Sequence, residues 1–341
     1  MRQFFCDCGS PVYFENDYCI NCSSALGFDP LLNDMITLAD WGQGVYRDVS
    51  GQDYRYCSNR GDFAVCNWLL LRDDPEPLCS ACRFNRTIPN QSRPENQRRW
   101  QVLERAKKRL VYTLKLLSLP LINGWDDPDQ GLLFDFVEDA RSSNDVPETF
   151  VSTGYLGGVI TINALEADDA ARIAARDELQ ESYRTVLGHL RHESGHYYWS
   201  LANPNGALLS DFRSIYGDER SDYQAALQRH YEEGALDNWS DEYISAYASA
   251  HPSEDWAECW GHYLHIFDAL ETAWAHQLLA DPPWAMSLNG RLAAWSRVSL
   301  MLNELNRSVG RGDAYPFVIN EAIAEKFGFV EQLIARLRTR Y

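Results

Sequence analysis

His192-Glu193-Ser194-Gly195-His196 is an H-E-x-x-H sequence late in a proline-free segment that runs from Ala170 to Leu201. Within that segment Ile173, Leu179, Tyr183, Val186, Leu187, Leu190 and Tyr197 recur mostly at spacings of three, four and seven, which predicts one continuous helix with an apolar stripe. Residues four apart share a helix face. His192 and His196 can therefore present ring nitrogens to one Zn²⁺ while Glu193 stands beside an open coordination position. The plainer alternative is a pair of ordinary histidines flanking a helical glutamate.

A catalytic zinc needs a third protein ligand and must keep one position for water. The candidates lie between Tyr247 and Glu258. Ser253, just after Pro252, is expected to cap a helix running through Phe267, which puts Glu254 and Glu258 four apart on one face. One can ligate while the other accepts a hydrogen bond from a ligating histidine. Acidic residues also gather at helix starts for dipole reasons alone, but Trp256, Cys259, Trp260 and Tyr263 crowd this helix, unlike a solvated surface. His262 and His265 read as packing or supporting groups, His251 as loop and Cys259 as a small buried thiol.

Eight of the nine cysteines lie before residue 83, in two local sets. Cys6-x-Cys8 with Cys19-x-x-Cys22 forms the first, and Cys57, Cys66 and Cys79-x-x-Cys82 form the second. Short knuckles place two thiolates within reach of one tetrahedral ion, and four sulfurs leave no position for substrate, so these read as two structural Zn²⁺ sites. The alternatives are iron in place of zinc, disulfides, which would suit a secreted chain, and a redox pair, which would need only one C-x-x-C. Met1 to Ser10 lacks a basic start followed by an apolar stretch, and no aliphatic run approaches a membrane span, so a cytoplasmic protein is expected.

The chain has 341 residues, 45% of them hydrophobic and 13% aromatic, which is enough for a large core and argues against disorder. A formal charge of −18 disfavours nucleic acid and anionic membrane surfaces as partners. Residues 1–95 hold eight basic against thirteen acidic side chains, so the cysteine-rich part is no basic arm either. Arg83, Arg86, Arg93, Arg98 and Arg99 cluster only at its exit and read as a solvated or interdomain patch. The polar stretch Pro89 to Gln97 marks a boundary, giving units at 1–95 and 96–341. Beyond it, Trp100, Leu103, Leu110, Leu114 and Leu117 define a helix; Leu132 to Val137 and Tyr155 to Asn163 read as strands separated by the loop Asp139 to Glu148. The Gly157 to Asn163 part is either core sheet or an edge that could hold an extended peptide. Strands followed by helices make the fold α+β: a zinc-ribbon module with two four-cysteine sites, then a mainly helical domain with a small sheet.

His192-Glu193-x-x-His196 together with Glu254-Asp255-Trp256-Ala257-Glu258 resembles the catalytic region of the gluzincins related to anthrax lethal factor. The resemblance implies a zincin-like fold, Glu254 as third ligand, Glu258 behind it, and Tyr247, seven residues before Glu254, as a group that stabilises the oxyanion. The chain departs from that pattern in a longer interval after His196 and in Asp255 where an aromatic is usual, which leaves Glu254 and Glu258 exchangeable at this stage. Over a wider span, Cys6 to Cys82 with Arg86-Thr87-Ile88-Pro89, His192 to Trp199 and Ser245 to Ile266, the sequence resembles a family of bacterial zinc-binding metallopeptidases with an N-terminal zinc ribbon. One catalytic and two structural Zn²⁺, Glu193 as general base and a peptide or protein substrate are the expectations that follow. Two other functions stay open: a zinc-ribbon interaction module with a non-cleaving peptide-binding domain, and a zinc amidohydrolase acting on a non-peptide amide.

Overall fold

The computed structural model describes residues 1–341 apart from 62, 143–145, 148–149, 179–182, 204–205 and 341. The chain opens on a hairpin of β1 (Phe4–Phe5) and β2 (Pro11–Val12). It continues as an antiparallel meander of β3 (Ala25–Asp29), β4 (Asp34–Asp40), β5 (Tyr46–Arg47), β6 (Asp53–Tyr56) and β7 (Leu69–Leu71). Strands this short bury little on their own, and the core they share joins a group of aromatic rings to buried cysteines. Phe14 and Phe28 meet edge to face at 4.7 Å between ring centroids, and Phe28 lies 4.8 Å from Trp68. Fully burying such a side chain contributes about 1.5–3 kcal/mol.

β8 (Asn85–Thr87) leaves the meander and pairs in parallel with β9 (Leu133–Val137) of the following segment. Between them runs α1 (Pro94–Leu116), with Pro94 in the first turn, where its missing N–H costs nothing. This helix is apolar on two sides. Val111 and Tyr112 complete the aromatic core of the meander, whereas Leu103, Leu110 and Leu114 face the larger core of the C-terminal part. The arginines at the exit are held by acidic residues further along the chain: Arg83 with Asp126 at 3.1 Å, Arg93 with Glu138 at 3.1 Å, Arg99 with Asp168 at 2.7 Å, and Arg86 with Asp135.

The C-terminal part has a mixed sheet in the order β10 (Gly154–Leu156), β11 (Val159–Asn163), β9, β8. The stretch expected as one strand from Tyr155 to Asn163 is therefore a hairpin. Gly157 and Gly158, at φ 55° and 84°, make its two-residue turn, a conformation that Gly-Gly adopts without a Cβ penalty. As a result β11 is an interior strand, antiparallel to β10 and parallel to β9, and the edge beside it is β10. Part of the expected loop 139–148 lies outside the described residues. Its start is held by Asp139, whose carboxylate accepts hydrogen bonds from the Val151 amide at 3.0 Å and from Asn163 at 2.6 Å.

The expected single helix over 170–201 is also two, α2 (Asp169–Glu178) and α3 (Val186–Ala202). Leu179 lies outside the described residues, and Tyr183 to Thr185 are not helical. Thr185 caps α3, its hydroxyl accepting the Gly188 N–H at 2.9 Å, so apolar periodicity carried across a cap that starts a new helix. α4 (Leu209–Tyr216) and α5 (Tyr223–Glu233) follow, then α6 (Pro252–Ala275), α7 (Leu288–Ser308) and α8 (Glu321–Arg340). The N-cap of α6 is His251 rather than Ser253: its Nδ1 accepts the Ser253 N–H at 3.1 Å, and Pro252 takes the first helical position. The architecture is α+β, sheets first and helices after. Among the described residues no helix is long and apolar enough to cross a membrane.

Candidate metal centre

α3 and α6 approach closely, with a glycine of each at the contact and the tighter fit at Gly195. A Cβ at Gly195 would lie 3.1 Å from Ala257 Cα and 3.1 Å from Trp260 Cβ, and one at Gly261 would lie 3.4 Å from the His192 nitrogen. The contact is also hydrogen-bonded. Trp256 Nε1 donates to the Gly195 carbonyl at 2.8 Å, and Trp260 Nε1 donates to Ser194 Oγ at 3.0 Å. The two central residues of the H-E-x-x-H sequence thus lock α3 onto α6, and the flanking residues are set against the carboxylates of α6.

There the polar side chains converge. His192 Nε2 lies 3.0 Å from Glu254 Oε2, His196 Nε2 lies 3.6 Å from Glu254 Oε1, and ligand atoms of His192, Glu193 and His196 all fall within 4.8 Å of one another. An ion about 2.0–2.1 Å from tetrahedral nitrogen and oxygen donors separates them by roughly 3.3 Å, so these spacings fit zinc. On the far side of His192, Nδ1 is 2.7 Å from Glu258 Oε1, and Glu258 Oε2 accepts the Ser245 hydroxyl at 2.6 Å. The structure thus brings Glu254 to both histidines and Glu258 to the back of one.

Burial works against a charged His192, but the carboxylates of Glu254 and Glu258 on its two nitrogens outweigh this and hold its pKa well above the usual imidazole range. Burial likewise pushes both carboxyls up, yet the bonds to His192 dominate and bring Glu254 and Glu258 down to about 2. A divalent cation on the Nε2 side would exchange for the proton held there. His196 is lowered to about 4 by burial, leaving a neutral imidazole of the kind a metal takes. For Glu193 burial is the main cause of a rise to about 7, opposed by His192 and reinforced by Glu254 and Glu258.

Tyr247 sits in the 3-10 turn Tyr247–Ala250 just before α6, its ring 6.0 Å from that of His192. Another phenol comes closer to the carboxylates, one that sequence reasoning missed. Tyr223, the first residue of α5, donates its hydroxyl to Glu254 Oε1 at 2.9 Å. Neither it nor Ser245 stands at a spacing that ties it to the histidines; only the tertiary fold brings them in. The three other histidines noted in the sequence have structural partners. His251 caps α6, His262 is 2.9 Å from the Tyr315 hydroxyl, and His265 packs among Tyr183, Trp295 and Tyr315. Asp255 faces away from the cluster and pairs with the buried Lys326 of α8 at 2.6 Å, and the buried Cys259 thiol lies 3.6 Å from the same carboxylate.

The cysteines form two further clusters, Cys6, Cys8, Cys19 and Cys22, and Cys57, Cys66, Cys79 and Cys82. Sulfur separations are 3.5 Å for Cys6 and Cys22, 3.7 Å for Cys8 and Cys19, and 3.6 Å for Cys66 and Cys79. Four thiolates about 2.3 Å from a tetrahedral zinc stand roughly 3.8 Å apart, close to these values. Cys8 and Cys22 of the first cluster are exposed, whereas all four of the second are buried.

Residues 96–333 match the family model described as "Putative zinc-binding metallo-peptidase", and residues 3–93 match a zinc-ribbon domain. The chain belongs to that zinc-binding metallo-peptidase family. Among its relatives are uncharacterized proteins of Mycobacterium tuberculosis, strains H37Rv and CDC 1551, and of Mycobacterium bovis. Each is 38% identical over 98% of this chain and 95% of its own length. No solved structure matches the chain. The metallo-peptidase match contains His192, Glu193, His196, Glu254 and Glu258, and the zinc-ribbon match contains both four-cysteine clusters, which fit zinc.

Proposed function

We propose that this member of the family is a zinc-dependent peptidase of the gluzincin type, with residues 1–95 as its ribbon unit and 96–341 as its catalytic unit. The observation that carries the proposal is the convergence of His192 Nε2, His196 Nε2 and the Glu254 carboxylate at 3.0 and 3.6 Å, with Glu193 grouped with the two histidines. His192, His196 and Glu254 would hold the catalytic ion, and Glu258 fixes the orientation of His192 from behind. When bound, zinc would supply the Lewis acidity that activates a water and polarises a carbonyl.

The chain's own residues do the rest. Glu193, raised toward neutrality by burial, takes the proton of the attacking water and returns it to the leaving amine. Tyr247 donates its hydroxyl to the carbonyl oxygen as negative charge develops there. A peptide is the substrate class best supported. The edge strand β10 runs beside α3, with the Tyr155 ring stacked 6.4 Å from that of His196, and among the described residues no strand pairs with its outer side. An extended peptide could lie along that edge by main-chain hydrogen bonds. Eight cysteines gathered in two clusters that fit zinc rather than in disulfides suit a reducing compartment, which supports a cytoplasmic setting, and the charge of −18 favours a polypeptide over nucleic acid or membrane as partner.

Elemental analysis tests this. About three zincs per chain are expected in wild type and about two in His196→Ala. Glu193→Gln should keep all three and lose turnover of a peptide library. Two zincs in both wild type and His196→Ala would overturn the assignment and leave a zinc-ribbon module beside a non-cleaving domain.

A further inference from the structure

α5 has little hold on the body of the protein. Among its residues only Ala226 is buried, and Gly217 and Gly234 flank it with φ of 98° and 85°. Its first residue nevertheless reaches into the metal centre. The Tyr223 ring lies 5.1 Å from that of His251, and its hydroxyl donates to Glu254 Oε1. That oxygen is the one 3.6 Å from His196, while Oε2 is 3.0 Å from His192. A glutamate's terminal torsion is soft, so with no partner the carboxylate could turn either oxygen to the histidines. A hydroxyl bonded to one oxygen removes that freedom. Glu258 is held in the same manner by Ser245, so both α6 carboxylates that face His192 have a hydroxyl partner.

We propose that Tyr223 is the positioning residue for Glu254, fixing the carboxylate for the catalytic zinc and tying the start of α5 to the metal centre as it does so. This rests on the assignment of Glu254 as third ligand. Partners one step behind a metal ligand typically change affinity by about 10–100-fold when removed. Their loss acts on the metal rather than on the fold.

The test uses the full chain with zinc as the probe. Tyr223→Phe removes one oxygen and keeps the ring. It is expected to release the third zinc to a competing chelator about 10–100-fold faster than wild type. Tyr231→Phe, which alters an exposed phenol on the same helix, should release it at the wild-type rate. Placed in a His196→Ala background, which lacks the third zinc, Tyr223→Phe should leave the thermal midpoint unchanged. Zinc release from Tyr223→Phe at the wild-type rate would overturn the inference while the peptidase assignment stands. An equal loss of thermal stability with and without His196 would also overturn it, because the phenol would then be serving the fold. If wild type itself holds only two zincs, the ligand assignment fails, and the role of Tyr223 falls with it.

Discussion

Glu258 stands 2.7 Å behind His192 and carries a charge that His192 and Ser245 stabilise against burial, with its pKa brought down to about 2. A carboxylate in that place does two things for a ligating imidazole: it keeps the proton on Nδ1, so that Nε2 is the free donor, and it raises the donor's basicity. Glu258→Gln can still accept a hydrogen bond but brings no charge. Chelator competition should show it binding the third zinc about 10–100-fold more weakly than wild type, with the zincs of the two cysteine clusters unaffected. An unchanged affinity would mean that the charge at this position does not serve the metal. Glu254 is the harder residue to alter without changing the fold, because it is 1% exposed and carries Tyr223 and both histidines on one carboxylate. Spacing alone offered Glu254 and Glu258 as equals, four apart on one face, and only the family resemblance put Glu254 first. What separates them is the depth of α6 against α3, which no spacing along the chain encodes.

At the level of elements, the site depends on how closely α3 and α6 approach. Glycine inside a helix costs up to about 1 kcal/mol relative to alanine, so Gly195→Ala gains helix propensity. The added methyl would meet Ala257 and Trp260 at 3.1 Å, and overpacking of a filled interface costs about 1–3 kcal/mol. Trp260 is fully buried and already bonded to Ser194, so it has nowhere to go, and overpacking should win. The expected result is a lower thermal midpoint by circular dichroism together with weaker retention of the third zinc; a more stable variant would show that the helices can part without cost. Local chemistry is legible in the sequence alone: the H-E-x-x-H face, the cysteine knuckles and α1 all follow from spacings of a few residues. Errors arose where one local signal overrode another. The apolar period hid the Thr185 cap, and alternation through Val159 hid the Gly157-Gly158 turn, so a hairpin read as one strand whose place, core or edge, stayed open. Tyr223 left no signal at all, being joined to the site only through the packing of a separate helix.

Across the whole molecule, α1 couples the ribbon to the rest, since its Val111 and Tyr112 belong to one core and its Leu103, Leu110 and Leu114 to the other. The second four-cysteine cluster lies against this same helix. The Cys82 thiol is 3.5 Å from Glu104 Oε1, Glu104 pairs with the buried Lys107 at 2.7 Å, and Lys108 reaches the Val65 carbonyl at 3.0 Å. Removing the ion there would leave buried thiols and charged groups arranged around a site with nothing at its centre, and metal-binding free energy is folding free energy for such a site. The first cluster is different, with Cys8 and Cys22 open to solvent. Two single substitutions should therefore have unequal reach. Cys82→Ser is expected to lose one zinc and lower the urea midpoint of the entire chain, followed by tryptophan fluorescence, because both cores share the helix it loosens. Cys8→Ser should also lose one zinc but shift that midpoint much less. Equal shifts would mean that the two metal sites are equally coupled to the body, and that α1 does not carry the connection between the ribbon and the peptidase-family domain.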